Sequence, residues 1–178
     1  MATDDLDRLL DPDYLSDLEH RPVEEVRTKR EECRRIEDAL SYVRRQVQGR
    51  LDIVAAEVAR RAEGKPPSDA SALIEQLPEI LGHNVQAPGL GRLPTSLEVP
   101  EELDSITVEL EGILHFTSLT GLGDISDDEL RELVDRLTEY ERTVSDRRRA
   151  LHDHLDALQA EIVRRYKTGE VSVESLLR

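Results

Sequence analysis

Tryptophan is absent, and aromatic residues make up only 3% of the 178-residue chain. A core built around large rings, which bury the most surface per residue, is therefore excluded. The single cysteine, Cys33, excludes an intramolecular disulfide and fits a reducing cytoplasm. Its place on a helical apolar face predicts a small core residue rather than a reactive thiol. No apolar run approaches the roughly 20 residues that span a bilayer. The acidic start MATDDLDRLL has neither the basic flank nor the apolar centre of a signal peptide. Positive charge is in deficit, with a formal net charge of −15. A phosphate backbone would be repelled, so DNA and RNA are poor partners and a basic protein surface is a good one. Phosphate-loop and nucleophile-elbow patterns, G-x-x-x-x-G-K and G-x-S-x-G, are also missing.

What remains is rich in Leu, Val, Glu and Arg, with 35% of residues charged. That composition predicts an all-α chain whose long helices pack through aliphatic seams. From Pro22 to Glu63, Ile36, Leu40, Val43, Val47, Leu51, Val54 and Val58 recur every three or four residues. Gly64-Lys65-Pro66-Pro67 stops this helix. Ser126 to Glu129 is a capping-box start for a second helix, which ends at Gly169. Its seam is Leu130, Leu133, Leu137, Tyr140, Val144, Leu151, Leu155, Leu158 and Ile162, interrupted at Arg147. Each helix is near 60 Å long at 1.5 Å per residue. Neither can bury its seam alone, so an antiparallel coiled coil is expected.

The layout is an acidic N-terminal segment (1–21), a first coiled-coil helix (22–63), a linker (64–125), a second helix (126–168) and a C-terminal turn (169–178). The linker holds 6 of the 8 prolines and 7 of the 9 glycines, so it is partly irregular. A short helix is expected over 70–81, a loop over 82–100, and either helix or strand over 101–119. In the first segment, Leu6, Leu9, Leu10, Tyr14, Leu15 and Leu18 form short amphipathic turns broken at Pro12. They read equally as a frayed terminus or as a docking segment for a partner. The C-terminal turn runs through Val171, Val173, Leu176 and Leu177.

One pattern occurs twice. Glu37, Ser41, Arg44, Gln48 and Asp52 read E-x3-S-x2-R-x3-Q-x3-D. Glu141, Ser145, Arg148, His152 and Asp156 repeat it 104 residues later (141 − 37), with His for Gln. Steps of four, three, four and four keep all five side chains on one helical stripe. Every motif residue follows a seam position by one, so each stripe flanks its seam. Paired antiparallel, the two stripes border a shared groove with a pseudo-two-fold axis. Arg presents a planar fork to guanine O6 and N7 or to phosphate. Asp and Glu accept from guanine N–H groups, and Ser, Gln and His donate. A two-fold, guanine-recognising, anion-tolerant site permits a cyclic di-guanylate without demanding it. Gly49 costs about 1 kcal/mol inside a helix. Either a close approach by ligand or neighbouring helix explains it, or it is a tolerated surface glycine.

The twin motif on two long helices resembles the RsiG family of actinobacterial anti-sigma factors. The resemblance implies a pair of cyclic di-GMP molecules as regulatory ligand, with no metal required. It implies that the ligand-bound protein sequesters the sporulation sigma factor WhiG, one chain per sigma factor, to repress its transcription programme. Glu37, Ser41, Arg44, Gln48, Asp52, Glu141, Ser145, Arg148 and Asp156 carry over directly as ligand-binding residues. His152 departs from the pattern, but its imidazole still donates and brings a pH dependence.

Two other readings compete. A ligand-free coiled-coil scaffold or adaptor would be indifferent to Arg44→Ala. An enzyme would use the His152-Asp153-His154 cluster, but only His152 and Asp156 share a face, and metal sites need three or four convergent ligands. His20, His83 and His115 are isolated. The chain is therefore expected to have no catalytic activity.

Overall fold

A computed structural model describes residues 2–68, 70–82, 108, 110–113 and 119–170. Four α-helices are numbered here: α1 (Ala2–Leu10), α2 (Val23–Ala62), α3 (Ala70–Gly82) and α4 (Asp127–Thr168). Short 3-10 turns occupy Pro12–Leu15, Leu18–His20 and Leu119–Asp124. Among the described residues there is no strand, and no helix is long and apolar enough to cross a membrane.

The 40-residue α2 and 42-residue α4 form the antiparallel pair that the seams predict. Arg30 at the start of α2 bonds Gln159 near the end of α4, at 3.1 Å. Arg61 at the end of α2 meets Asp127 at the start of α4, at 3.0 Å. Between them, Ile36, Leu40, Val43, Val47 and Val54 are buried against Leu137, Tyr140, Val144, Leu151 and Leu158. Leu51, Val58 and Leu155 are only partly buried. Cys33 lies in the core, where burial pushes its thiol up to about 11.

Local chemistry sets the helix ends. Ser126 Oγ accepts from Glu129 N, and Glu129 Oε2 accepts from Ser126 N at 2.8 Å, closing the capping box. Gly169 terminates α4 at φ 77°, a left-handed conformation that a residue without Cβ adopts freely. Pro22, the N-cap of α2, stands 104 residues before Ser126, the N-cap of α4 (126 − 22). The motif offset is thus the offset of the whole helices.

The N-terminal segment corrects both expectations for it. It is neither frayed nor turned toward a partner. Leu6, Leu9 and Tyr14 are buried in the chain's own core. Tyr14 Oη donates to Glu32 Oε2 at 3.0 Å on α2, and its ring stacks on His154 of α4 with centroids 6.1 Å apart. Lys29 Nζ sits 3.8 Å from the centre of the Tyr14 ring. A leucine pattern on a short segment is buried wherever an apolar surface is nearest, and here the hairpin supplies it.

Within the linker, α3 packs on α2 through Leu73, with Leu77, Ile80 and Leu81 partly buried. The helix expected over 70–81 is present. Residues 108 and 110–113 are helical, favouring helix over strand there. Of the loop expected over 82–100, Gly82 instead closes α3; the remainder, like the C-terminal turn through Val171, Val173, Leu176 and Leu177, lies outside the described residues.

Candidate ligand-binding face

The register of the hairpin brings the two motif copies together across their helices. Arg44 Nε donates to Glu141 Oε1 at 2.8 Å and to Ser145 Oγ at 2.9 Å. Arg148 Nε donates to Glu37 Oε1 at 2.9 Å and to Ser41 Oγ at 2.8 Å. Each serine also donates to the glutamate one turn before it, Ser41 at 2.8 Å and Ser145 at 3.0 Å. Shifting one helix by 104 residues, and the other by the reverse, converts one cluster into the other. The pseudo-two-fold axis therefore holds at the level of single hydrogen bonds.

The departure at His152 fits the same scheme. Gln48 Nε2 donates to Glu141 Oε1 at 3.0 Å. His152 Nε2 lies 3.1 Å from Glu37 Oε1, in the equivalent place. An imidazole therefore replaces an amide without moving the nitrogen.

The two clusters differ in depth. The Glu37 side chain is 9% exposed and the Glu141 side chain 23%. Burial works against charge on Glu37, but hydrogen bonds from Ser41 and Arg148 hold its carboxyl below the usual range. The stripe thus flanks the seam except at Glu37, which lies partly within it. Asp52 is half-buried and Asp156 exposed. They stand one turn beyond Gln48 and His152, at opposite ends of the face and outside the two clusters.

The arginines are held rather than used up. Each is fixed through Nε, while Nη1 and Nη2 of Arg44 and Arg148 make no hydrogen bond among the described residues. Two guanidinium groups with fixed stems and available outer edges suit a planar or anionic ligand carrying two acceptor sets. Among the described residues, no group of three His, Cys, Asp or Glu side chains converges as a metal site.

Sequence reasoning missed a second repeated constellation. Glu57, Arg60 and Arg61 recur as Glu161, Arg164 and Arg165 at the same 104-residue offset (161 − 57). The buried Glu57 accepts from Arg61 Nε at 2.7 Å, Arg60 Nε at 3.1 Å, and Ser68 N and Oγ at 3.1 and 2.6 Å. Arg61 then donates to the carbonyls of Leu122 and Ile125, both at 2.8 Å, where the chain enters α4. Glu161 likewise accepts from Arg165 Nε at 2.6 Å. Arg165 donates to the carbonyls of Leu18 and Arg21, where the chain enters α2. Each helix end thus clamps the entry to the other helix, which sets the register of the motif face. The repeat at fixed spacing was the signal that could have found these residues.

No curated protein matches the chain. A family model described as RsiG-like matches residues 12–81 and 117–178, taking in both motif copies and both long helices. The chain therefore belongs to the RsiG-like family, whose members are regulators of the anti-sigma-factor type with a sigma factor as partner.

Proposed function

We propose that this protein binds cyclic di-GMP on the motif face and, in the ligand-bound form, sequesters a WhiG-type sporulation sigma factor. The observation that carries the reading is the paired arginine geometry. Arg44 and Arg148 are each anchored through Nε by the opposite helix, and Nη1 and Nη2 of each make no hydrogen bond among the described residues. A ligand with two guanine–phosphate halves would meet two equivalent half-sites, each supplied by both helices. Glu37 and Glu141 orient the arginines, Gln48 and His152 steady those carboxylates, and Asp52 and Asp156, as acceptors toward the ends of the face, would take base N–H groups. In this reading a pair of ligand molecules bridges α2 and α4, and no catalytic step or metal is involved.

The chain's net charge of −15 supports a basic sigma-factor surface as the partner. The test is a calorimetric titration with cyclic di-GMP, with cyclic di-AMP as control, followed by sigma-factor capture with and without ligand. Saturable binding of the guanine nucleotide alone, near two molecules per chain, is expected, with sigma-factor capture only in its presence. Capture that ignores ligand would overturn the regulatory half of the proposal.

One observation favours the scaffold reading instead. Each cluster closes on itself, Glu37 with Ser41, Arg148 and His152, and Glu141 with Ser145, Arg44 and Gln48. In that case the motif is a register lock. It predicts no nucleotide binding, and the contacts of Arg44 with Glu141 and Ser145 replace the indifference to Arg44→Ala expected of a scaffold with a loss of stability comparable to that of any cross-helix ion pair.

A further inference from the structure

The 104-residue offset repeats more charged residues than the motif and the end clamps contain. Glu25 and Glu129 correspond, as do Arg27 and Arg131, and Arg45 and Arg149. The first two pairs have intramolecular work. Glu25 pairs with Arg21, and Glu129 closes the capping box on Ser126. Arg27 bonds Tyr166, and Arg131 bonds Asp128 at 2.6 Å. Arg45 and Arg149 stand apart. Both are exposed, and neither makes a hydrogen bond or ion pair among the described residues.

Their position on the helices is specific. Arg45 stands four residues after Ser41 and three before Gln48, so it neighbours both on the surface of α2. Arg149 has the same relation to Ser145 and His152 on α4. Each therefore lies on the outer rim of the motif stripe, one residue beyond the anchored arginine. A repeated cation without a partner among the described residues, in a chain of net charge −15, sits at the border of a face where Nη1 and Nη2 of Arg44 and Arg148 make no hydrogen bond among those residues.

We propose that Arg45 and Arg149 are ligand-binding residues, an outer cation pair that takes the phosphodiester charge of a cyclic dinucleotide on this face. The proposal rests on the reading of the motif face as a cyclic di-GMP site. It separates the tasks: the inner arginines, oriented by Glu141 and Glu37, meet the bases, and the outer pair meets the phosphates. A guanidinium offers a phosphate two parallel N–H donors, which an ammonium does not.

The experiment is calorimetric titration of the full chain with cyclic di-GMP at low and high salt, for wild type and three double variants. R45A with R149A should weaken binding about tenfold or more at low salt, and the salt dependence should shrink because exposed charges are screened. R45K with R149K should keep the salt dependence while recovering only part of the affinity. K65A with R131A removes the same charge at the hairpin end and should leave affinity unchanged. Circular dichroism should be the same for all four proteins. If the wild type binds and R45A/R149A stays within about twofold with the same salt dependence, the outer pair is overturned and the motif face stands. Equal weakening by K65A/R131A would likewise overturn it, because the effect would then be one of net charge. A wild type that does not bind cyclic di-GMP overturns the reading of the face and this proposal with it.

Discussion

Arg148 reaches across the hairpin to Glu37 at 2.9 Å, while Glu37 is nearly withdrawn from solvent and Arg148 is about one-third exposed. A buried carboxylate is costly unless its lone pairs are filled. Here Ser41, Arg148 and His152 surround it. The same contact that satisfies the carboxylate also fixes the arginine, so stability and site geometry share one interaction.

That coupling is measurable. Arg148→Ala should cost about 1–3 kcal/mol in denaturant unfolding, because a buried carboxylate loses its charged donor. Combined with Glu37→Ala, the double variant should be less damaged than the sum of the singles by about 1 kcal/mol, the usual range for contacting charged pairs. Additivity within about 0.3 kcal/mol would show that the two residues do not interact.

For the proposed ligand, Arg44→Ala and Arg148→Ala should each weaken cyclic di-GMP binding at least about tenfold, as expected for loss of a charge-assisted contact. Helicity by circular dichroism should persist, since the seam of Leu40, Val47, Val144 and Leu151 is untouched. Unfolded variants would instead assign the arginines to the scaffold.

Acid should act through the end clamps. Burial opposes charge on Glu57, but hydrogen bonds from Ser68, Arg61 and Arg60 outweigh it and hold the carboxyl at about 2, against an ordinary 4.5. A depressed folded value means that the contribution is complete above 4.5 and is lost as pH falls from there toward 2. It is on the order of 3 kcal/mol. Glu57→Gln should therefore lower the melting temperature at pH 7 and flatten its decline between about pH 4.5 and 2. Glu161, held at about 2 by Arg164 and Arg165, acts in the same direction. An unchanged acid limb in Glu57→Gln would remove the clamp from this account.

Two glycines should respond in opposite ways to alanine. A Cβ at Gly123 would lie 2.3 Å from Ser68 O, a backbone atom that the Glu57 clamp holds in place. Gly123→Ala should destabilise by about 1–3 kcal/mol, as overpacking does. At Gly49 the nearest atom to a Cβ would be Leu81 Cδ2, at an ordinary 3.8 Å. The neighbouring helix α3 therefore does not require glycine there. Gly49→Ala should stabilise the apo protein by up to about 1 kcal/mol through helix propensity. A simultaneous fall in cyclic di-GMP affinity would show that the ligand needs the space. Melting curves and titrations of both variants check this.

Much of the architecture was legible in the residues. Apolar residues every three or four positions can be buried only on one face of a helix, so Ile36 to Val54 and Leu130 to Ile162 declared two long seams. The capping box at Ser126 and the left-handed stop at Gly169 act within one turn and need no tertiary context. The twin motif was legible because its spacing matches helical periodicity twice. The end clamps repeat at the same offset and were overlooked, because E-x2-R-R looks like an ordinary solvated helix end. The N-terminal leucines were not decidable, because amphipathic periodicity does not say which apolar surface a segment will cover.

The sequence by itself determined the helices, their antiparallel need for each other, and the two stripes of polar residues, since each follows from local spacing. Tertiary structure alone decided which residues meet. A pairing slip of one turn would part Arg44 from Glu141 and Arg148 from Glu37 while leaving every helix intact. The register depends on contacts between residues 61 to 144 positions apart: Arg61 on the carbonyls before α4 and Arg165 on the carbonyls before α2. Those bonds form only after the chain has doubled back, so no local pattern encodes them.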